Sequence, residues 1–213
     1  FLFLYPAGWF VSQFLYLFNR DIGVNNISII GTIITFILFL TVLPSWGKIR
    51  WKTNDPWLSI GLDFKNKFTV FKLFFSGFIF SVFLLIILLL FFFLCGWIDR
   101  IDYIKPTQLF NAVILIVGIV SAEEIIFRGW LMEEMVLLLG FRKGMIFQSM
   151  IFSLAHYRSD IGLLALIPFL TGLFLFGIVL TLRRMIDRGL LWGCIGLHGG
   201  LVGIWYLFDS GMV

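Results

Sequence analysis

The sequence predicts an all-α membrane protein, a polytopic bundle of about seven (six to eight) spanning helices. Hydrophobic residues make up 61% of the 213 positions and charged residues only 13%, whereas soluble domains are about 45–50% apolar and about 25% charged. The apolar stretches are long and continuous rather than alternating. Because only helices and closed barrels pair every backbone N–H and C=O inside lipid, continuous runs favour helices.

Seven apolar runs follow one another along the chain, and each is a candidate helix. They cover residues 1–18, 27–43, 70–98, 108–139, 145–156, 161–182 and 190–208. A span needs roughly 20 residues, so the short run at 145–156 is expected to be shielded by its neighbours. The chain starts with Phe1 rather than Met, and the first run is predicted to be a truncated span rather than a signal peptide. Residues 1–213 are treated as a single membrane domain.

The placement of basic residues predicts how the bundle is oriented. If successive runs alternate in direction, segment 44–69 and the connections after Leu139 and Leu182 share one side and carry ten Lys and Arg residues, against four on the other side. The positive-inside rule then places segment 44–69 in the cytoplasm or its equivalent. Its tryptophans alternate with cations, which predicts a membrane-surface anchor, with substrate docking as the alternative. The net charge of +4 is therefore no sign of nucleic-acid binding.

A small set of ionisable residues lies within or at the end of these apolar runs, where charge is costly. The set comprises Glu123, Glu124, Arg128 and the two histidines of the chain, His156 and His198. A charged residue at the centre of a membrane helix costs about 2.5–3.5 kcal/mol on insertion scales. We therefore interpret this set as functional.

Helical spacing divides the two adjacent glutamates into different roles. Glu124 and Arg128 are four positions apart with the acid first, the favourable order for an ion pair on one helix face. Glu123 points about 100° away around the helix and is free to face another helix. The spacing predicts a structural pair, Glu124–Arg128, and a reactive Glu123. The alternative is that both acids only cap or pair within the bundle.

The two histidines come from different runs and complete a candidate site. His156 ends a helix, where a hydrogen-bonded interface residue is the simpler interpretation. His198 lies among glycines spaced three and four apart (Gly193, Gly196, Gly200, Gly203), and such small faces let helices approach closely. Together with Glu123 they suit metal binding or general-base activation of water for attack on a carbonyl. His-Glu-x-x-His and Gly-x-Ser-x-Gly motifs are lacking, and an ion carrier fits less well.

Three motifs in this order resemble those of the CAAX-protease and bacteriocin-processing family, which includes the type II CAAX prenyl endopeptidases. They are Glu123-Glu124-x-x-x-Arg128, Phe152-x-x-x-His156, and His198 in a glycine-rich last helix. The resemblance covers residues 108–208, the predicted catalytic core, and implies proteolysis within the membrane. It implies that Glu123 and His156 activate water and that His198 binds a metal or stabilises the oxyanion. Glu124 and Arg128 stay a structural pair.

The resemblance also implies cofactors and partners. Zinc held by Glu123, His156 and His198 and a metal-free glutamate mechanism are both open. The expected partners are the lipid bilayer and a membrane-embedded or lipidated peptide or protein substrate, with no nucleic acid. The expected location is multi-pass in a bacterial inner membrane or an organellar membrane.

Two features argue against this interpretation. Where the family often has Asn or Asp four residues after the last histidine, this chain has Val202, and loss of one oxyanion-hole donor typically costs about 10²–10³ in rate. The alternating topology also puts His156 near the non-cytoplasmic membrane surface and Glu123 at mid-membrane. The alternatives are a non-catalytic family member that assembles or binds membrane proteins, and a bacteriocin self-immunity protein.

Overall fold

The computed structural model describes residues 4–18, 24–98 and 103–209, and these residues form helices and no strands. The helices are α1 Leu4–Phe18, α2 Val24–Arg50, α3 Pro56–Ser59, α4 Lys67–Leu94, α5 Pro106–Leu139, α6 Phe141–Ala155, α7 Leu163–Ile186 and α8 Trp192–Asp209. Each of the seven apolar runs coincides with one of the longer helices, and α3 is a short addition. The all-α prediction is confirmed.

Within the described part of the chain, four helices are long and apolar enough to cross a membrane. These are α2 (from Asn26), α4, α5 and α7, and α8 is a shorter apolar helix. The chain is therefore an integral, multi-pass membrane protein. Helices α1 and α6 have 15 residues each, about 22 Å of helix against a hydrocarbon core of about 30 Å. The count of about seven spans stays a prediction for these shorter helices.

Packing divides the chain into two compact units, residues 1–57 and 58–213. In the first unit, α1 and α2 cross at small residues, since a Cβ on Gly8 would overlap the Thr35 side chain and the Gly31 carbonyl. Close backbone approach of this kind is how membrane helices pack without a hydrophobic driving force. The single domain over 1–213 and the catalytic core over 108–208 stay predictions.

In the second unit, the glycines of α8 allow the closest packing. A Cβ on Gly196 would overlap the backbone carbonyl of Phe74 in α4, and a Cβ on Gly200 would overlap Ser81 one turn further along. On another side of α8, a Cβ on Gly203 would lie 2.6 Å from the Ile116 side chain of α5. The predicted small-residue packing of α8 is thus present, and it brings His198 against its neighbours.

Helix α5 departs from regular α geometry on both sides of its glutamates. It is π-helical at Leu115–Val120 and again at Ile125–Leu131, with the single α-helical turn Ser121–Glu124 between them. Wider π turns are rare and frequently occur at functional sites. The adjacent acids therefore occupy a turn whose orientation is set by an irregular helix on either side.

Helices α5 and α6 form a hairpin that brings His156 to the level of Glu123. They are joined at Gly140, whose φ of 74° suits a residue without a Cβ. Glu123 lies 16 residues before Leu139, about 24 Å along α5, and the 15 residues of α6 return about 22 Å. His156 and Glu123 therefore meet because α6 starts next to the turn and is about as long as the part of α5 that separates Glu123 from it.

Candidate active site

Glu123 and both histidines, from three different helices, meet at one point. The Oε2 atom of Glu123 lies 3.7 Å from Nε2 of His156 and 3.8 Å from Nε2 of His198. The side chains of Glu123 and His156 are 26% and 29% exposed, while that of His198 is 5% exposed. The three predicted catalytic residues therefore lie together in a site that is open on the side of His156.

Each histidine is fixed through its other ring nitrogen. Nδ1 of His156 lies 2.8 Å from the backbone carbonyl oxygen of Phe152, and Nδ1 of His198 lies 2.8 Å from Oε1 of Glu124. Carbonyl and carboxylate oxygens only accept hydrogen bonds, so both Nδ1 atoms carry the proton and donate it. In the neutral ring this leaves the Nε2 lone pair directed at Glu123 in both cases.

Glu124 has two partners rather than one. Its Oε1 atom accepts from Nη1 of Arg128 at 2.9 Å as well as from His198. The side chains of Glu124 and Arg128 are completely buried, where removing one partner of an ion pair is far more costly than at a surface. The predicted Glu124–Arg128 pair is present, and it also orients His198.

The ring of Phe152 fills the space between these groups. The Arg128 guanidinium carbon lies 3.8 Å from its ring centroid, and the His156 and His198 rings lie 4.6 and 6.0 Å from it. Nε and Nη2 of Arg128 have no hydrogen-bond partner among the residues that the structure describes. The π face of Phe152 thus offsets part of the cost of burying the cation, and the residue holds both histidine rings apart.

The donor types of the site fit zinc, but their spacing does not. One carboxylate and two imidazoles are common zinc ligands, and a carboxylate or carbonyl on the outer nitrogen of each histidine is typical of metal sites. Across the described residues, however, no group of three or more His, Cys, Asp or Glu side chains is arranged to hold a metal ion. Side chains would have to move toward each other before a metal could bind all three.

Family comparison agrees with this geometry. Residues 105–204 match the family model described as type II CAAX prenyl endopeptidase Rce1-like, and this range contains all five residues of the site. Residues 105–204 are thus similar to an Rce1-like domain. The predicted family resemblance is confirmed, and the assignment supports an intramembrane protease in general terms.

The other comparisons add little about function. Residues 2–55 match a domain of unknown function, DUF8676, which lies within the first compact unit. Neither the curated proteins nor the solved structures include a significant match to the chain. The functional argument therefore rests on the Rce1-like domain and on the geometry of its residues.

Two features of this Rce1-like site were missed from the sequence. The bond between Glu124 and His198 joins residues 74 positions apart, and helical spacing reports only on neighbours within a turn or two. The central place of Phe152 was also missed, although the Phe152-x-x-x-His156 spacing could have indicated it. Residues four apart share a helix face, so a large ring one turn before a histidine is in position to contact it.

Proposed function

We propose that the chain is an intramembrane endopeptidase that hydrolyses a peptide bond with a water molecule activated by Glu123 and His156, while His198 stabilises the oxyanion. The observation that carries this proposal is the convergence of both Nε2 atoms on Oε2 of Glu123 at 3.7 and 3.8 Å. These separations are too long for direct hydrogen bonds and suit a water molecule bound between the groups.

In this mechanism Glu123 is the general base and His156 orients the water. Glu123 removes a proton as the water oxygen bonds to the scissile carbonyl carbon, and the carbonyl π electrons move to its oxygen. When the C–N bond breaks, Glu123 returns the proton to the leaving amine. The Nδ1 atom of His156 donates to the Phe152 carbonyl, and in the neutral ring its Nε2 lone pair accepts the second proton of the water as a hydrogen bond.

His198 has a different task because its partner is a carboxylate. The Glu124 carboxylate accepts the Nδ1 proton of His198 and is the counter-charge when the ring carries a second proton on Nε2, as the aspartate of a catalytic triad is for its histidine. Its Nε2–H then donates to the oxyanion that forms during attack. Such a donor is most effective in a dry site, and His198 is one of the most buried groups here.

Zinc remains an alternative means of activating the same water. Glu123, His156 and His198 would hold the ion, which would supply Lewis-acid polarisation of the water or the carbonyl. The distances favour the metal-free route as the first proposal. On that route we expect the activity to persist in the presence of EDTA.

The substrate is proposed to be a membrane-embedded or lipidated peptide or protein. Helices α2, α4, α5 and α7 are candidate membrane spans, and the site lies on α5 where about 24 Å of helix separates it from the Gly140 turn. A substrate that is itself held in the membrane would meet a site in this position on a spanning helix. A bacterial inner membrane or an organellar membrane stays the predicted location.

The test is a cleavage assay on purified protein in proteoliposomes, with a library of membrane peptides read by mass spectrometry. Glu123→Gln keeps the side-chain volume and removes the base. It is expected to lower cleavage by about 10²–10⁴, the usual contribution of a general base. Asp160→Asn is the matched control, since Asp160 is an exposed acid paired with Arg158 outside the site.

Equal cleavage by wild type and Glu123→Gln would exclude the proposed mechanism. No cleavage by folded wild type would favour the second candidate, a non-catalytic family member that binds or assembles membrane proteins or confers self-immunity to a bacteriocin. The observation in favour of that candidate is Val202, which cannot donate a hydrogen bond where the family often has Asn or Asp. Loss of cleavage with EDTA would favour the zinc mechanism.

A further inference from the structure

Outside the site, Arg184 has an unusually complete set of hydrogen bonds. Its Nε donates to the Gly189 carbonyl at 2.9 Å and its Nη2 to the Ser59 carbonyl at 3.0 Å. Nη2 also bonds Oε1 of Glu133 at 2.9 Å, and Nη1 donates to the backbone carbonyl of Arg128. Four of the five guanidinium N–H groups are thus used, and the residue is 7% exposed.

These partners belong to separate parts of the second unit. Gly189 follows α7, Ser59 ends α3, and Glu133 and Arg128 lie on α5. The sequence accounted for Arg184 only as a cytoplasmic charge at the end of an apolar run. In the structure it is a buried cross-link that connects the end of α7 to the helix carrying Glu123.

The bond to Arg128 falls on a weak point of α5. Its carbonyl lies in the π-helical segment Ile125–Leu131, where the wide turn is less favourable than a regular α turn. A buried guanidinium that binds this carbonyl fixes the backbone position of Arg128. It also stabilises the irregular turn that follows the two glutamates.

The position of Arg128 in turn decides the position of His198. The Arg128 side chain bonds Oε1 of Glu124, and the same oxygen accepts the Nδ1 proton of His198. All of these groups are nearly or fully buried, so no solvent is available to replace a lost bond. A shift of the Arg128 backbone is therefore expected to pass to the imidazole through two short bonds.

We propose that Arg184 is a positioning residue for the reaction, which acts by fixing the Arg128 backbone and thereby the Glu124–His198 bond. The proposal rests on the proposed function for its kinetic consequence but not for its structural one. Lysine cannot replace arginine here, because an ammonium has three donors on one atom and cannot reach four separated acceptors.

The experiment compares two charge-conserving substitutions at adjacent positions of α7. Arg184→Lys breaks the cross-link. Arg183→Lys is the control, because Arg183 bonds Asp187 and Ser76 and has no bond to α5. In the proteoliposome assay Arg184→Lys is expected to lower kcat by about 10–100-fold, the range for a misplaced catalytic group, with KM within about twofold of wild type. Arg183→Lys is expected to leave both constants near wild type.

A spectroscopic measurement separates positioning from a general loss of stability and does not depend on activity. The chain has two histidines, so ¹⁵N-histidine labelling gives two sets of ring signals by solid-state NMR in liposomes. In Arg184→Lys the Nδ1 signal of His198 is expected to shift. The signals of His156, which is anchored by the Phe152 carbonyl instead, are expected to stay, as are both sets in Arg183→Lys.

A normal kcat for Arg184→Lys, or unchanged His198 signals, would overturn the proposal. If wild type cleaves no peptide, the proposed function fails, and the NMR comparison still decides whether Arg184 positions His198. If Arg184→Lys does not fold, Glu133→Gln is the second variant, since it weakens the hold on the same guanidinium and keeps its three carbonyl bonds. A smaller decrease in kcat with a shift of His198 would then support the proposal, and no change in either would overturn it.

Discussion

Two carboxylates that are adjacent in sequence have different environments in this site. Glu123 is 26% exposed and faces two Nε2 atoms at a distance that admits water. Glu124 is fully buried, and its Oε1 atom accepts hydrogen bonds from both the Arg128 guanidinium and the His198 imidazole. Environment separates the roles of paired acids in many enzymes. In the proposed mechanism, proton transfer belongs to the more exposed acid and orientation to the buried one.

The dual role of Glu124 is tested by comparing a single and a double substitution. Glu124→Gln leaves the Arg128 cation buried without a counter-charge and is expected to destabilise the protein by about 3–5 kcal/mol. Glu124→Gln combined with Arg128→Met removes both charges and is expected to recover most of that stability. Cleavage by the double variant is expected to stay low, because the Glu124 carboxylate that bonds and orients the His198 ring is gone.

Thermal unfolding in detergent gives the stability of both variants, and the peptide assay gives their activity. Recovery of cleavage together with stability would show that the pair has a structural role only, as the sequence alone predicts. In that case His198 would not need a charged partner.

Val202 offers a test in which activity is gained. It is one helical turn after His198 and half-buried, so its side chain lies on the same face of α8. Val202→Asn supplies a hydrogen-bond donor at this position and is expected to raise kcat by up to about 10², the lower end of the effect of an oxyanion-hole donor. Val202→Ala, which changes the volume without adding a donor, is the control. An unchanged or reduced kcat in the asparagine variant would show that this position does not face the oxyanion.

The residues of the site were predictable only as far as their partners are local. The Glu124–Arg128 pair follows from a spacing of four, and it is present. The convergence of Glu123 with His156 and His198 was predicted from residue types and from the family resemblance. The Arg184 cross-link spans 56 residues to Arg128, and helical periodicity carries no information about which buried carbonyl a distant arginine will reach.

At the level of elements, the sequence predicts where helices are better than it predicts their geometry. The seven apolar runs become helices because lipid leaves no other way to pair the backbone. The π segments of α5 could not be predicted from the sequence. A wider turn shifts the spacing of apolar and polar residues, and this shift cannot be seen where nearly every residue is apolar. The meeting of His156 with Glu123 was hard to foresee for a related reason: the apolar run at 145–156 conceals that α6 already begins at Phe141.

The glycine packing of α8 against α4 gives a prediction about stability. In Gly196→Ala the new methyl group would overlap the Phe74 carbonyl, and since this is backbone it cannot rotate away. Overpacking of this kind is expected to cost about 1–3 kcal/mol. Gly172→Ala on α7 is the matched control, because a Cβ there meets nothing within 4 Å and alanine favours helix. Denaturation in mild detergent gives the comparison, and equal stability of the two variants would contradict the close α4–α8 contact.

At the level of the whole molecule, the length of α5 constrains how its helices lie in the membrane. Helix α5 has 34 residues, about 51 Å of helix, which exceeds a hydrocarbon core of about 30 Å and requires tilt or an end outside it. Helix α6 ends at the level of Glu123 along α5. The polar connection after His156 thus starts inside the bundle, and its exposed ion pair between Arg158 and Asp160 needs contact with water.

This arrangement predicts which side of the membrane each connection faces. Single cysteines at Lys65, Lys143 and Arg158, all exposed, are introduced after Cys95→Ala, because Cys95 is exposed whereas Cys194 is buried. A membrane-impermeant maleimide is then added to one side of oriented proteoliposomes. Lys65→Cys and Lys143→Cys are expected to react from the same side, which the positive-inside rule makes cytoplasmic, and Arg158→Cys from the other.

Reaction of Arg158→Cys from the opposite side would show that water reaches the end of α6 from the non-cytoplasmic side. The water molecule of the proposed reaction would then enter from that side. Labelling of all three positions from one side would place the opening of the site on the basic face, because α6 then returns no connection across the bilayer. Labelling of Lys65→Cys and Lys143→Cys from opposite sides would contradict the predicted topology itself. The charge distribution favours labelling of Arg158→Cys from the side opposite to the other two positions. Ten basic residues lie on the predicted cytoplasmic side and four on the other, and each Lys or Arg that must be moved across the membrane opposes insertion in the reverse orientation.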